Sequence, residues 1–543
     1  MSSAAAASTA PRATRREWIG LVVLALPCLL YAMDLTVLNL AVPQLSADLR
    51  PSSAQLLWIT DIYGFLLAGS LITMGTLGDR IGRRRLLLLG SAAFGVTSVL
   101  AAFSTSAGML IGARALLGVA GATLAPSTLS LLRGMFLDPR QRALAISVWI
   151  TSFSAGGAVG PLLGGMLLQW FWWGSVFLLA VPVMAVLLAV GPRLLPEFRD
   201  PNPGQLDLPS MVLSLAAVLS MIYGLKQLVQ NGPGWPPALA IAAGLAVGVV
   251  FVRRQRRLTD PLLELRLFRL PAFSAALATY SLAILVVFGI DLFAGQYLQL
   301  VLGLSPLQAG LWLVPSALGF VVGSMLAPQL ARRIRPASVI AAGLVLAAGG
   351  FGLLTRVESS AGLAVLVGGS VVFAVGVAPA ATLTTDLIIG AAPPERAGVA
   401  AAISETGSEL GGAIGIAVLG SIGTAIYRGQ VADAVLAGAP AQAAEAARAA
   451  LGGAVAAAGQ LPDQLGAPLL AAARDAFTQG LQVAAGISAG VVIGGAILAG
   501  VLLRRVRAGS DAGERPDREQ CTHVAGDTGL AAPPVLTPSF AVN

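Results

Sequence analysis

Six carboxylates lie inside long apolar segments of this chain, where an acidic side chain is costly to keep. They are Asp34, Asp61, Asp291, Asp386, Glu405 and Glu409. At the centre of a bilayer a carboxylate costs about 2.5–3.5 kcal/mol even on a lenient insertion scale. Only Arg114 and Lys226 oppose them within such segments. Because at least four acids would remain after full pairing, the interior is predicted to be net acidic and to attract cations.

The spacing of these groups suggests two kinds of chemistry. Glu405 and Glu409 are four residues apart and share one helix face. Two acids this close repel when both are ionised, so one holds its proton more tightly, as suits a site that chooses between a proton and an organic cation. Hydrogen bonding to neighbouring Ser and Thr is the alternative. A rise of about 1.5 Å per residue puts Asp34, Asp61 and Arg114 at a similar depth. Plain structural pairing of Asp34 with Arg114 is the alternative to proton chemistry.

The composition places the acids in a polytopic membrane protein. The chain has 543 residues, of which 56% are hydrophobic and 11% charged, and its mean hydropathy is +0.82. Soluble domains are about 25% charged. The single histidine, His523, lies in a polar tail, and Cys28 and Cys521 are far apart. We therefore expect no metal site and no cofactor. Proton chemistry within the membrane must use the carboxylates.

Fourteen apolar runs are long enough to cross a bilayer, and they must be helical to satisfy their backbone. They lie near residues 18–43, 56–77, 86–103, 108–132, 143–168, 172–191, 209–229, 237–253, 272–302, 306–331, 337–356, 361–390, 396–427 and 477–503. Alternate loops carry 27 of the 34 Lys and Arg residues on one side and five on the other. This bias predicts that both termini are cytoplasmic. It also accounts for the net charge, so no nucleic-acid partner is expected.

The runs define the predicted organisation of the chain. A cytoplasmic N-terminal tail is followed by an N-terminal bundle, an inserted hairpin with cytoplasmic linkers, a C-terminal bundle and a disordered cytoplasmic tail, at 1–17, 18–191, 192–271, 272–503 and 504–543. Residues 428–476 form a long external segment rich in alanine. Its composition favours a helical hairpin over the outer mouth, with a loose solvated loop as the alternative.

Two glycine-rich stretches have spacings that predict a mechanical role. GTLGDRIGRR at 75–84 combines a tight turn with an acid and bases at the membrane surface. Asp79 could pair with an arginine and hold a cytoplasmic gate; a basic loop that only sets topology is the alternative. In GGAVGPLLGG at 156–165, every fourth residue is glycine, which allows close helix approach. Pro161 can kink that span.

Five stretches resemble signatures of the major facilitator superfamily. The loop at 75–84 resembles G-x-L-A-D-R-x-G-R-K, with Gly78 and Arg84 as mild departures. The other four segments are MDLTVLNLAVP at 33–43, RALLGVAGATLAP at 114–126, GGAVGPLLGG at 156–165 and WITDIY at 58–63. The first resembles a signature of fourteen-helix drug:proton antiporters. The second resembles an R-x-x-x-G signature, with Leu117 as a departure, and the third resembles a signature of antiporters rather than uptake symporters. The last resembles the W-x-x-D-I-Y of quaternary-ammonium efflux proteins.

The resemblance implies an all-α major facilitator fold with 14 transmembrane helices. Spans 1–6 and 9–14 would form two six-helix bundles with spans 7–8 inserted, and the substrate cavity would lie between the bundles. It implies that Asp34 and Arg114 take part in proton coupling, and Asp61, at a similar depth, is a further candidate. The gate loop comprises Gly75, Gly78, Asp79, Arg80, Gly82, Arg83 and Arg84. The antiporter helix carries Gly156, Gly157, Gly160, Pro161, Gly164 and Gly165.

Candidate residues for binding a cationic substrate combine acids with aromatic rings that could stack on a cation. They are Asp61, Glu405, Glu409, Asp291, Trp58 and Tyr63. Packing or anchoring at the lipid interface is the alternative role for the two aromatic side chains. Asp386, near the cytoplasmic end of its span, is predicted to form a helix-end ion pair.

Together these features predict a transporter and not an enzyme. We expect a monomeric proton-coupled antiporter in a bacterial plasma membrane that exports lipophilic organic cations such as quaternary ammonium compounds, cationic dyes and biguanides from the cytoplasm or inner leaflet. Its partners would be these drugs, protons and membrane lipids. The proton gradient would drive it, since no phosphate-cradling GxxxxGK[ST] occurs. A dedicated exporter of one endogenous antibiotic or metabolite is the alternative. A non-transporting membrane sensor is disfavoured because it would not need the buried acids.

Overall fold

The computed structural model shows a helical protein and describes residues 11–51, 53–199, 207–231, 234–258, 261, 263, 265–359, 362–393, 397–434 and 441–504. The predicted tail at 504–543 lies outside the described residues except for Arg504. The helices of the first half are α1 (Arg15–Leu49), α2 (Ser53–Ile81), α3 (Arg83–Ala102), α4 (Ala107–Gly121), α5 (Leu124–Met135), α6 (Pro139–Trp170), α7 (Ser175–Leu178) and α8 (Ala180–Leu194).

A helical hairpin and a second group of helices follow. The hairpin consists of α9 (Leu208–Asn231) and α10 (Trp235–Gln255). The second group is α11 (Pro271–Gln296), α12 (Pro306–Ala331), α13 (Pro336–Leu354), α14 (Leu363–Ala391), α15 (Ala397–Ala434), α16 (Ala441–Ala449), α17 (Leu451–Ala458) and α18 (Asp463–Leu502). One π-helical turn, Tyr297–Val301, continues α11.

Hydrophobic length explains most of these elements. Among the described residues, 12 helices are long and apolar enough to cross a membrane, or 13 when the bent α6 is counted as one span. A shorter apolar helix, Pro209–Leu225, lies within α9. The predicted all-helical membrane fold is therefore confirmed. The count of fourteen spans stays a prediction.

The helices pack as two bundles, each built around its own hydrophobic core. One core is formed mainly by α1–α8 and includes Ile389 and Ala401 from the second group. The other is formed mainly by α11–α18 and includes Ile72 of α2 and Phe251 of α10. The bundles meet where α2 and α5 pack on α15 and where α6 packs on α12 and α14. The inserted α9 packs on α10 and also contacts both α2 and α15, so it touches both bundles.

Helix α6 approaches α1 closely at its glycines. A Cβ at Gly156 would overlap the Leu29 carbonyl oxygen, and one at Gly164 would lie 3.0 Å from Val37 Cγ1. Gly157 and Gly165 have no such neighbours within 4 Å. The helix turns by 40° between Gly157 and Leu162. The side chain of Pro161 is outside the described part of the chain.

We expect Gly156→Ala to destabilise the protein, because its new methyl group would force α1 and α6 apart. Overpacking of this kind costs about 1–3 kcal/mol. Gly157→Ala is the matched control, since the same change one residue further meets open space. Thermal unfolding in detergent measures both. Equal unfolding temperatures for the two variants would contradict the close α1–α6 approach.

The segment predicted as a long external loop is largely helical. α15 runs on to Ala434, and α18 begins at Asp463 instead of near residue 477. The intervening α16 and α17 pack on each other and on the ends of α15 and α18. The Tyr427 hydroxyl donates to the Ala447 carbonyl oxygen at 2.8 Å. The high helix propensity of alanine explains why the helices extend past the apolar runs.

Candidate transport site

A buried ion pair lies inside the first bundle. Arg114 on α4 is 1% exposed, and its Nη1 lies 3.1 Å from Asp34 Oδ2 on α1. Its guanidinium carbon lies 5.0 Å from the centre of the Tyr63 ring and 5.9 Å from that of Phe177. Asp34 also lines a small, largely apolar cavity between α1, α3, α7 and α8. Asp34 is thus paired with Arg114 and also faces a cavity. Loss of either partner of such a buried ion pair is strongly unfavourable.

The predicted aromatic residues of α2 have different surroundings. Tyr63 is fully buried beside Arg114, so in this conformation its ring contacts the ion pair. Its hydroxyl has no hydrogen-bond partner among the described residues. Trp58 is 43% exposed and packs edge-on against Phe65. Asp61 lies between them on α2, but its side chain is outside the described part.

A second group of acids lies on α15, where the two bundles meet. Glu405 is 6% exposed, and Glu409 is half-buried one turn further along. The Tyr31 hydroxyl on α1 donates to Glu409 Oε1 at 2.6 Å, which links one bundle to the other. Tyr31 lies three residues before Asp34. Adjacent turns of α1 therefore carry Asp34 itself and the tyrosine that binds Glu409.

Tyr31 is held in place by other aromatic rings. Its ring packs edge-on against Phe153 at 5.4 Å, and Phe153 packs against Trp149 at 4.7 Å. The Trp149 indole N–H donates to Thr128 Oγ1 at 2.9 Å. The Tyr31 hydroxyl therefore projects towards α15 from a packed row anchored in its own bundle. The sequence motifs did not indicate Tyr31; its position one turn before Asp34 is the only signal.

The two remaining acids lie elsewhere. Asp291 is exposed on α11, and a role in lining the cavity stays a prediction. Asp386 Oδ1 accepts a hydrogen bond from Arg142 Nε at 2.9 Å. This is the helix-end ion pair that the sequence predicted, and it joins α14 to α6 across the bundle interface. Among the described residues no group of three His, Cys, Asp or Glu could hold a metal ion.

The bundles are in close contact at the end that carries Arg83, Arg133 and Arg142, called the basic end below. Arg83 is 1% exposed, forms an ion pair with Asp79 and donates to the Gly75 carbonyl oxygen at 3.1 Å. A Cβ on Gly398 of α15 would overlap the Arg83 guanidinium. Arg133 Nη1 donates to the Ile389 carbonyl oxygen at 2.5 Å. The basic end is therefore closed.

Gly75 completes this contact from α2. A Cβ there would lie 2.6 Å from Ala402 Cβ and 2.7 Å from the Gly398 carbonyl oxygen, so only a glycine allows α2 and α15 to approach this closely. A Cβ on Gly78 would lie 3.1 Å from Arg83 Nη1.

The turn between α2 and α3 depends on Gly82 and on a residue that the sequence did not indicate. Gly82 has φ +111°, in the region that favours glycine. Glu197, after α8, accepts the Arg84 backbone N–H at 3.0 Å, and Arg84 Nη1 donates to the Leu195 carbonyl oxygen at 3.0 Å. Arg80 lies in the last turn of α2. These contacts fasten the loop to the segment that follows α8.

Two packed helical bundles, with charged side chains buried inside one bundle and where the two meet, have the architecture of a membrane transport protein. The chain belongs to the major facilitator superfamily, whose sequence model matches residues 24–416. The family predicted from the motifs is confirmed, and the protein is a transporter and not an enzyme.

The chain is similar to several bacterial efflux and resistance proteins. It is 45% identical to the multidrug efflux pump LfrA of Mycolicibacterium smegmatis over 91% of this chain and 98% of that protein. It is 35% identical to the methyl viologen resistance protein SmvA of Salmonella typhimurium (85% and 93%). It is 33% identical to the tetracenomycin C resistance and export protein of Streptomyces glaucescens (89% and 91%).

A solved structure shows the same fold. The human organic anion transporter MFSD10 superposes with a TM-score of 0.57 over 89% of this chain and 99% of that chain. Its sequence is 16% identical, so the likeness concerns the fold alone.

Proposed function

We propose that the protein is a proton-coupled antiporter that exports lipophilic organic cations. The observation that carries this proposal is the placement of the acids. Asp34 is paired with Arg114 inside one bundle, whereas Glu405 is buried at the interface and no Arg or Lys among the described residues pairs with it. A buried carboxylate without a fixed cation favours a mobile one, whether proton or drug.

The relatives support export and a cationic substrate. One is a multidrug efflux pump, and another confers resistance to methyl viologen, which is an organic dication. The tetracenomycin C exporter favours the second candidate function, in which the protein exports a single antibiotic. An acidic interface suits the cation exporter better, because a neutral or anionic antibiotic gains nothing from buried carboxylates.

The proposed topology has fourteen spans, with the basic end and both termini in the cytoplasm. The excess of Lys and Arg on that side supports this orientation. A drug from the cytoplasm or inner leaflet would enter when the basic end is open and would balance Glu405 and Glu409. The bundles would then close the basic end, the state in which Arg83 packs on Gly398. Protons from outside would replace the drug, and Asp34 would carry the proton that resets the carrier.

Ethidium transport in inverted membrane vesicles tests this function. Respiration-energised vesicles that contain the protein should accumulate ethidium, and a protonophore should abolish the accumulation. A neutral and an anionic dye of similar size are the controls for charge selectivity. Accumulation that survives the protonophore would overturn proton coupling. Export of a neutral antibiotic without any export of cations would overturn the cation assignment and favour the dedicated exporter.

A further inference from the structure

The contact between Tyr31 and Glu409 joins the two bundles at the same carboxylate that the proposed function assigns to the drug. The donor–acceptor distance is 2.6 Å, which falls in the range of a hydroxyl bound to a charged carboxylate. Tyr31 is 6% exposed and Glu409 is half-buried, so the tyrosine side chain has little access to water. The bond is therefore both strong and located at the bundle interface.

The hydroxyl lies against the carboxylate to which the proposed function brings the cation. Packing against Phe153, which in turn packs against Trp149, fixes the Tyr31 ring in the first bundle. The hydroxyl thus caps Glu409 Oε1 from the side of α1. A quaternary nitrogen has no N–H to donate. It gains from a carboxylate only by approaching it closely, so the hydroxyl and the cation compete for the same carboxylate.

Helix α1 connects this contact to the buried ion pair. Asp34, which pairs with Arg114, lies one turn beyond Tyr31. The same short segment of α1 is consequently held by the C-terminal bundle through Tyr31 and by α4 through Asp34. Release of Tyr31 removes the described hydrogen bond that α1 makes to α15.

We propose that the Tyr31 hydroxyl is a cross-bundle donor that competes with the transported cation for Glu409, so that cation binding also releases α1 from α15. Tyr31 is a positioning residue in this scheme, because it acts through Glu409. The inference rests on the proposed function, since it names what the cation must displace. It adds a specificity rule: cations that bring their own hydrogen-bond donor to Glu409 can replace the Tyr31 hydroxyl better than cations without a donor.

Ethidium binding to the purified full-length protein, followed by fluorescence anisotropy, tests the competition. Tyr31→Phe removes only the hydroxyl and should tighten binding about tenfold, the scale of one hydrogen bond to a charged group. In a Glu409→Gln background the same change should have no effect, because the two residues act as a unit. Tyr223→Phe is the matched control: this tyrosine is 40% exposed and bonds only Gln227 on its own helix among the described contacts.

Weaker or unchanged ethidium binding by Tyr31→Phe would overturn the inference, as would equal tightening in the Glu409→Gln background. Incorporation of 3-fluorotyrosine at position 31 keeps the ring and strengthens the donor, so it should weaken binding. The 3-fluorotyrosine variant still tests the inference if Tyr31→Phe folds poorly.

A second measurement separates this inference from the proposed function. Cys28 is 1% exposed and lies one turn before Tyr31 on α1. In a Cys521→Ser background without any ligand, Tyr31→Phe should raise the rate of Cys28 alkylation by N-ethylmaleimide several-fold. An unchanged rate would overturn the cross-bundle role even if ethidium is transported. A raised rate would support it even if the wild-type protein binds no cation.

Discussion

Asp34→Asn is expected to reduce proton-driven ethidium export to the level of vesicles that lack the protein. Asparagine cannot carry a proton, and it leaves the buried Arg114 without the carboxylate that lies 3.1 Å from it. Ethidium binding should stay within a few-fold of the wild type, because Glu405 and Glu409 lie on α15 and not inside the first bundle. Ethidium efflux driven by an imposed proton gradient, together with ethidium exchange without a gradient, measures the two effects separately.

Two controls isolate the coupling role of Asp34. Loss of one partner of a buried ion pair costs about 3–5 kcal/mol of stability, so Asp34→Asn is also expected to be less stable. Asp34→Glu keeps an acid and should retain part of the efflux. Asp207→Asn breaks a different ion pair, between α9 and α10. Arg254 donates hydrogen bonds that hold the pKa of Asp207 below its ordinary value, so this acid stays charged and its loss should leave coupling intact. Proton-driven efflux by Asp34→Asn at the wild-type rate would remove Asp34 from the mechanism.

Gly398→Val is expected to slow export at least tenfold by keeping the basic end open. A side chain on Gly398 would overlap the Arg83 guanidinium, which is itself buried and bound to Asp79. Overpacking costs about 1–3 kcal/mol, and the branched valine side chain falls in the upper part of this range. Since about 1.4 kcal/mol is a factor of ten, the equilibrium shifts away from the closed state by at least that factor. The measurement is ethidium efflux, combined with alkylation of Cys28 in a Cys521→Ser background, which should become at least tenfold faster.

Gly390→Ala is the control for the Gly398 variant. It lies near the same end, on α14, and a Cβ there meets nothing within 4 Å. Its efflux and its Cys28 alkylation should match those of the wild type. Slow efflux by Gly398→Val with unchanged Cys28 alkylation would contradict the steric account, because closure would then be intact.

The spans and the charged candidates were predictable because the bilayer imposes simple rules. An apolar run must have a minimum length to cross the bilayer, and charged residues within such runs are rare enough to stand out in the sequence. Asp34 and Arg114 were expected at one depth, and they form an ion pair. Asp386 was expected in an ion pair near a helix end, and Arg142 provides its partner.

The cross-bundle contacts were not predictable, because each depends on how distant helices pack. Tyr31 has no distinguishing pattern in an apolar run, and only the positions of α1 and α15 bring it to Glu409. The sequence places Arg133 and Arg142 in a basic segment that already satisfies the topology rule, so it gave no sign of their contacts with Ile389 and Asp386. Hydropathy likewise underestimated α18, since it does not register the helix propensity of alanine.

The inserted hairpin has a consequence for molecules dissolved in the bilayer. α9 packs on α2 around Phe65, Ala68, Val218 and Ile222, and Leu410 of α15 reaches the same cluster. Gly69 adds to this contact, since a Cβ there would lie 2.6 Å from Leu215 Cδ1. The seam between α2 and α15 is therefore covered by a third helix, whereas α6 and α12 form the seam on the other side of the interface. A hydrophobic solute in the lipid therefore meets α9 as a lateral shield over the seam between α2 and α15.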